Sequence, residues 1–271
     1  MHIDSYFSLS NSSLGESEFV ILGIPYDSTQ SFIPGSRFLP NAVREASWNL
    51  ESYSMLFDFD FNDVKICDAG NINVDGTFIE IVERVEEFYE KINAIPIAIG
   101  GEHTISYACA KNFDNVCYIA FDAHLDLRDE FDGNKFNHAC TVRRICEEIE
   151  NVILIGVRSG TKEERDFAEN NIEVFYSWDV MEKGVNWIVD RLECKLAYLS
   201  LDVDVFDPAF VHVSTPEPAG LFPMHFLQFL KKFKGKIVGF DVVEGIPDNE
   251  KRTQMLVARM IFEFIARSKR F

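Results

Sequence analysis

Acids and histidines gather at four places in this chain, each directly after a short apolar run. Val116–Phe121 is followed by Asp122-Ala123-His124-Leu125-Asp126, and Leu196–Leu201 by Asp202-Val203-Asp204. Ile95–Ile99 leads into Gly100-Gly101-Glu102-His103, and Lys236–Phe240 into Asp241-Val242-Val243-Glu244. In an extended backbone, side chains at i, i+2 and i+4 lie on the same side. A row of such groups is costly to bury without partners. A bound cation removes that cost and favours the ionised carboxylates. Singly the motifs are weak, because a lone D-x-D often caps a loop or helix and G-G-E-H fits a tight turn. At the ends of four different runs they read together as a metal centre.

Two imidazoles (His103, His124) and four carboxylates (Asp122, Asp126, Asp202, Asp204) make six side-chain ligands of total charge −4. Two divalent cations per chain neutralise that charge. Oxygen and imidazole donors without thiolate favour Mn²⁺ and leave Zn²⁺, Fe²⁺ and Co²⁺ open. Paired ions about 3.5–4 Å apart acidify a shared water toward neutral pH, so the chemistry on offer is hydrolysis.

Positioning these groups requires a rigid frame. Eight runs read as strands: Phe19–Ile24, Val64–Cys67, Ile95–Ile99, Val116–Phe121, Val152–Val157, Ile172–Phe175, Leu196–Leu201 and Lys236–Phe240. Most lack strict alternation, as strands buried on both faces of a parallel sheet do. Between them lie amphipathic stretches. Thr77–Ile92 carries Phe78, Ile81, Val82, Val85, Phe88 and Tyr89 at helical spacing. Phe222–Phe233 opens with Pro223, suited to a first helical turn, and Glu250–Arg267 forms a long terminal helix. The alternation implies βαβ units and a largely parallel sheet covered on both faces. The carboxyl ends of its strands share one edge, where ligands bind. No repeat, low-complexity tract or long linker interrupts residues 1–271, which read as a single domain.

The 26 Lys+Arg against 44 Asp+Glu leave a net charge of −18, which repels phosphate backbones and disfavours nucleic-acid partners. No apolar stretch approaches the roughly 18 residues of a membrane span, and Met1-His2-Ile3-Asp4 does not open a signal peptide. Six cysteines (Cys67, Cys109, Cys117, Cys140, Cys146, Cys194) form no C-x-x-C pair and read as reduced core thiols of a cytoplasmic protein. His2, His212 and His225 read as surface or packing residues, and Trp48, Trp178 and Trp187 as core.

The set Gly100–His103, Asp122–Glu130 (D-A-H-L-D-L-R-D-E), His138-Ala139-Cys140 and Ser200–Pro208 (S-L-D-V-D-V-F-D-P) resembles the ureohydrolase family, which contains arginase and agmatinase. Leu22–Asp27, Pro34–Arg37, Pro40–Arg44, Gly156–Ser159, Thr215–Pro218 and Asp241–Glu244 extend the likeness over nearly the whole chain. Asp126–Glu130, His138–Cys140 with Arg143-Arg144, and Thr215–Pro218 look most like agmatinase. The resemblance implies a three-layer α/β/α sandwich around a mainly parallel eight-stranded sheet. It implies His103, Asp122, His124, Asp126, Asp202 and Asp204 as ligands of two Mn²⁺, His138 as proton shuttle and Glu244 as the carboxylate for the substrate guanidinium. Asn71, Asn137, Ala219 and Leu39 depart from the residues the family usually carries. Those at Asn137 and Ala219 fall in pocket-shaping loops.

A guanidinium carbon is a poor electrophile, so the reaction needs a strong nucleophile. Glu244 would pair bidentately with the guanidinium, Asp126 would help move the nucleophile's proton, and His138 would protonate the departing amine. Glu217 and the acidic loop Asp129-Glu130 favour a dication, hence agmatine, yielding putrescine for polyamine synthesis and urea. Glu217 and Asn137 join Glu244 as candidate substrate contacts. Other readings are arginase, guanidinobutyrase or formiminoglutamate hydrolysis, a single-zinc deacetylase, and a non-catalytic polyamine-binding homologue. The resemblance further implies a homo-oligomer, trimer or hexamer.

Overall fold

The computed structural model describes residues 5–270. The Met1–Asp4 terminus, and His2 with it, lies outside the described residues. Ten strands form in chain order: β1 (Phe19–Ile24), β2 (Tyr53–Ser54), β3 (Phe59–Asp60), β4 (Ile66–Asn71), β5 (Ile95–Gly100), β6 (Cys117–Phe121), β7 (Asn151–Val157), β8 (Glu173–Tyr176), β9 (Leu196–Asp202) and β10 (Lys236–Val243). Eight of them build one sheet in the order β4-β1-β5-β10-β9-β6-β7-β8, with every pairing parallel. β2 and β3 form a small antiparallel hairpin.

The helices are α1 (Leu39–Ser47), α2 (Phe78–Tyr89), α3 (Thr104–Ala110), α4 (Thr141–Ile145), α5 (Lys162–Asn171), α6 (Ser177–Val189), α7 (Pro223–Lys232) and α8 (Arg252–Arg270). Alternate strand residues enter opposite cores. Phe19 and Ile21 of β1 pack with α1, α6, α7 and α8 residues such as Val43, Val185, Phe226 and Phe262. Val20, Leu22 and Ile24 pack on the other face with Ile81, Ile105, Val142 and Ala168 of α2 to α5. The result is the three-layer α/β/α sandwich that the resemblance implied. The N-caps of α2 and α5 are written in sequence, as Thr77 with Glu80 and Thr161 with Glu164 form reciprocal capping boxes.

Some expectations need correction. Cys117, opening β6, and Cys194, just before β9, are joined as a disulfide with Cα atoms 6.1 Å apart. β6 and β9 are hydrogen-bonded neighbours and Cys117 pairs in register with Ala197, so residues 77 apart in sequence meet at the edge opposite the metal-binding motifs. Cys67, Cys109, Cys140 and Cys146 remain free. Trp48 and Trp178 are more than half exposed. Trp48 ends α1 and sits edge-on to Tyr6, while Trp178 lies in the first turn of α6 and stacks on Tyr176. No helix among the described residues is long and apolar enough to cross a membrane.

Candidate metal centre

The four central strands, β5, β10, β9 and β6, are consecutive in the sheet, and their carboxyl ends carry the four polar motifs. His103 stands at the N-terminus of α3 just beyond β5. The turn before it depends on Gly101, where a Cβ would lie 1.7 Å from the Tyr26 carbonyl oxygen. Its carbonyl also accepts from the Glu244 N–H at 2.8 Å, tying the β5 and β10 ends together.

Two groups of donors converge: His103 with Asp122 and Asp202, and Asp122 with His124 and Asp204. His103 Nδ1 is 2.8 Å from Asp126 Oδ2, 3.2 Å from Asp122 Oδ2 and 3.7 Å from Asp202 Oδ2. His124 Nδ1 is 2.8 Å from Asp204 Oδ2 and 3.8 Å from Asp122 Oδ1. Asp122 belongs to both groups. Three carboxylates share a design in which one oxygen is held by the main chain and the other faces the imidazoles. Asp122 Oδ1 accepts from His124 N–H at 2.6 Å, Asp202 Oδ1 from Asp204 N–H at 2.9 Å and Asp204 Oδ1 from Ala123 N–H at 3.0 Å. Asp122 Oδ2 is buried with no hydrogen-bond partner, an arrangement that a cation would satisfy. The donor set fits two divalent ions.

The electrostatics agree. Burial and the neighbouring Asp126 charge push the Asp122 carboxyl up to about 6. Burial, with Asp204 and Asp122 beside it, holds Asp202 well above the usual carboxylate range. Burial opposes charge on His124, but Asp204 outweighs it and raises the imidazole to about 10. Burial likewise raises Asp204, and the His124 imidazolium reverses this, bringing it to about 2. Without metal the centre therefore retains protons where cations would sit. His103 Nε2 lies 3.2 Å from the buried Tyr118 hydroxyl, the outer contact that orients a ligating imidazole.

Around this cluster lies a cavity of about 260 Å³ lined by Ser31, His124, Asp126, Arg128, Phe131, His138, Glu164, Asp202, Asp204, Thr215 and Glu244, among others. His138 opens a 3₁₀ turn and its Nε2 is 3.1 Å from Ser31 Oγ. Its main-chain N–H donates to Thr29 Oγ1 at 2.9 Å. Glu244 Oε1 accepts from His103 N–H at 2.7 Å. Its Oε2 accepts from Gln30 Nε2 at 2.8 Å and from Ser214 Oγ.

Over residues 17–266 the sequence matches the Arginase family. The chain belongs to that family. Among its arginase-family relatives, the agmatinase of Pyrococcus horikoshii is 40% identical over 267 residues, 94% of this chain and 93% of the relative. The N(1)-aminopropylagmatine ureohydrolase of Thermococcus kodakarensis is 36% identical over 267 residues, 94% of this chain and 92% of the relative. The crystal structure of agmatine ureohydrolase from Thermoplasma volcanium superposes with a TM-score of 0.93 at 31% identity, covering 99% of this chain and 96% of that one. The protein is a hydrolase of this family.

The structure brings all six expected ligand residues to one place, with His138 and Glu244 on the same cavity wall. Asn137 lies behind that wall: its Oδ1 accepts from Ala139 N–H at 3.1 Å and caps the His138 turn. Glu217 does not line the cavity; its half-exposed carboxylate lies with Oε1 3.8 Å from His124 Nε2. Its carbonyl oxygen and those of Gly156, Asp204 and Val205 accept from Arg158, which ties the β7 and β9 ends to the Thr215–Pro218 loop. Sequence reasoning missed Thr29, Gln30 and Ser31, which reach the site because β1 lies beside β5 in the sheet. It also missed Glu164, hidden in a capping box yet lining the cavity.

Proposed function

We propose that this protein hydrolyses the guanidinium group of agmatine to putrescine and urea with two Mn²⁺ per chain. The observation that carries this is the pair of donor groups sharing Asp122, of which His124, Asp202 and Asp204 line the cavity that Glu244 and His138 also line. When bound, the two ions supply the Lewis acidity that makes water nucleophilic near neutral pH. His103, Asp122, Asp126 and Asp202 would hold one, and Asp122, His124, Asp202 and Asp204 the other.

The protein's own groups bind and orient the substrate. A carboxylate offers about four acceptor sites, and three of those on Glu244 are taken by His103, Gln30 and Ser214. One site on Oε1 remains, room for a single guanidinium N–H rather than the bidentate fork expected from sequence. Water oxygen adds to the guanidinium carbon, the carbon–nitrogen bond to the alkyl chain breaks, and the amine leaves protonated. Asp126 accepts one proton of the water and passes it to the departing nitrogen, and the second is released as the urea carbonyl forms. His138 delivers one to the amine, with the half-buried Ser31 hydroxyl at its Nε2. Asn137 serves the substrate by capping the His138 turn, and Glu217 adds negative charge beside His124.

Agmatine is favoured over arginine by the cavity wall. With Asp126, Asp202 and Asp204 neutralised by the ions, Glu164 and Glu244 remain on it, with Arg128 as its lone Lys or Arg. Arg128 lies over the Phe131 ring at 4.8 Å and faces Glu164 at 3.8 Å, so an α-carboxylate would have to compete for it. The Thermococcus kodakarensis relative supports N(1)-aminopropylagmatine as the second reading. Residues 1–271 as a single domain, a cytoplasmic location and assembly as a trimer or hexamer belong to the same proposal, carried by the family likeness. The test is urea release with Mn²⁺ against chelated protein, across agmatine, N(1)-aminopropylagmatine, arginine and guanidinobutyrate. Agmatine should be preferred and chelation should abolish release; preference for another substrate overturns the assignment.

A further inference from the structure

Gln30 belongs to no motif read from the sequence, yet its amide is fixed from both ends. Its Oε1 accepts from Gly35 N–H at 3.0 Å and Ser36 N–H at 3.3 Å, which turns the NH₂ toward Glu244 Oε2 at 2.8 Å. Reversing the amide would set donors against donors and an oxygen against a carboxylate, so its orientation follows from its partners. The loop is braced in turn. Asp27 Oδ2 accepts from Gly35 and Arg37 N–H, and Thr29 donates through N–H and Oγ1 to the buried Glu102.

Glu244 needs such support. Its backbone is left-handed at φ 65°, a conformation that side chains other than glycine rarely adopt. The terminal torsion of a glutamate is broad, and apart from Gln30 one donor holds each oxygen, the His103 N–H on Oε1 and the rotatable Ser214 hydroxyl on Oε2. The Gln30 amide supplies a third restraint, and a directional one, beside Ser214 on Oε2. We propose that Gln30 is a positioning residue for guanidinium recognition: it holds the Glu244 carboxylate so that the open site on Oε1 faces the substrate. This rests on the ureohydrolase reading above.

Gln30→Glu tests it, because the new side chain keeps an acceptor for the Gly35 and Ser36 N–H groups while setting an oxygen against Glu244. Gln30→Met removes donor and acceptor without adding charge. Both are compared with wild type for Mn²⁺ binding by calorimetry, melting temperature, kcat and KM for agmatine, and inhibition by putrescine, which has no guanidinium. Losing a charge-assisted hydrogen bond should raise KM about tenfold or more in Gln30→Glu, with Mn²⁺ binding and putrescine inhibition unchanged. Gln30→Met should raise KM less, in the same direction. The proposal is overturned if either variant, folded and loaded like wild type, keeps the wild-type KM, or if putrescine inhibition weakens in step with KM. A wild-type protein that releases no urea from any guanidinium compound would instead overturn the ureohydrolase reading.

Discussion

Asp126 Oδ2 meets His103 Nδ1 at 2.8 Å across the metal centre, and Asp126 does so from a left-handed backbone at φ 49°. Its carbonyl accepts from Arg143 N–H at 3.1 Å, and the next N–H, of Leu127, donates to Glu164 Oε1 at 3.1 Å. The turn is pinned on both sides. Asp126→Asn keeps the shape and weakens the donor. We expect metal affinity of the His103 group to fall by at least the roughly 10–100-fold that losing an outer contact costs, with the His124 group retained. Calorimetric Mn²⁺ titration should show one weakened step out of two, and the fold should persist by circular dichroism.

Proton retention without metal sets the pH response. Asp122 is raised to about 6 and His124 to about 10, so the folded chain binds more protons than the unfolded chain between each ordinary value and the raised one. Stability of the metal-free protein therefore falls as pH rises from about 4 to 6, and again above about 6.5. Asp204, lowered to about 2, acts oppositely, with its contribution lost only as pH falls through that value. Mn²⁺ displaces the retained protons. The rise in melting temperature on adding Mn²⁺ should be larger at pH 8 than at pH 6, and an equal rise at both would contradict the protonation pattern.

His138 sits 9% exposed with its Nε2 on the Ser31 hydroxyl. His138→Ala should lower kcat roughly 100- to 10,000-fold, the usual worth of a positioned acid or base, while leaving Mn²⁺ binding intact. Added imidazole should restore part of kcat. Failure of rescue in a folded, metal-loaded variant would point to a role in shape rather than proton delivery.

Away from the centre, the fully buried Arg44 binds Asp68 through Nε at 2.8 Å and Nη2 at 2.9 Å. It also donates to Asn71 Oδ1 and to the Gly70 carbonyl. Asn71 returns a hydrogen bond to Asn41 Oδ1 at 3.2 Å through an NH₂ that an aspartate would lack. Arg44→Ala leaves the Asp68 carboxylate buried without its counter-charge, held by the Phe7 and Gly70 N–H groups alone, and we expect a loss of about 3–5 kcal/mol, measured from the shift of the urea unfolding midpoint.

Most of the sheet strands were legible as compact apolar runs, but β4, read as Val64–Cys67, runs Ile66–Asn71 and shares only Ile66 and Cys67 with that reading, because its second half, Asp68-Ala69-Gly70-Asn71, carries no apolar signal beyond Ala69. β1 spans the residues read from sequence, while β10 runs three residues further than Lys236–Phe240 because Asp241, polar in sequence, is buried against Ser106, Ser200 and Tyr198. α3 escaped notice because it is buried on nearly every side and shows no polar face. α6 is broken at Gly184, φ 76°, which scrambles its period. The candidate ligands could be read because their residue types are costly to bury without a cation. Gln30 and Ser31 could not, since an amide and a hydroxyl in a loop look like any turn until the sheet order puts β1 beside β5.

Phe121 of β6 lies in register with Leu201 of β9, and Val243 of β10 with Asp202. Asp122, one residue past the end of β6, therefore follows that register to stand beside Asp202, and the spacing of about 4.8 Å between neighbouring strands sets how far apart their backbones lie. Insertions in the surrounding loops can reshape what the enzyme accepts without altering that gauge, whereas a one-residue slip of β6 against β9 would turn Asp122, which belongs to both donor groups, away from them.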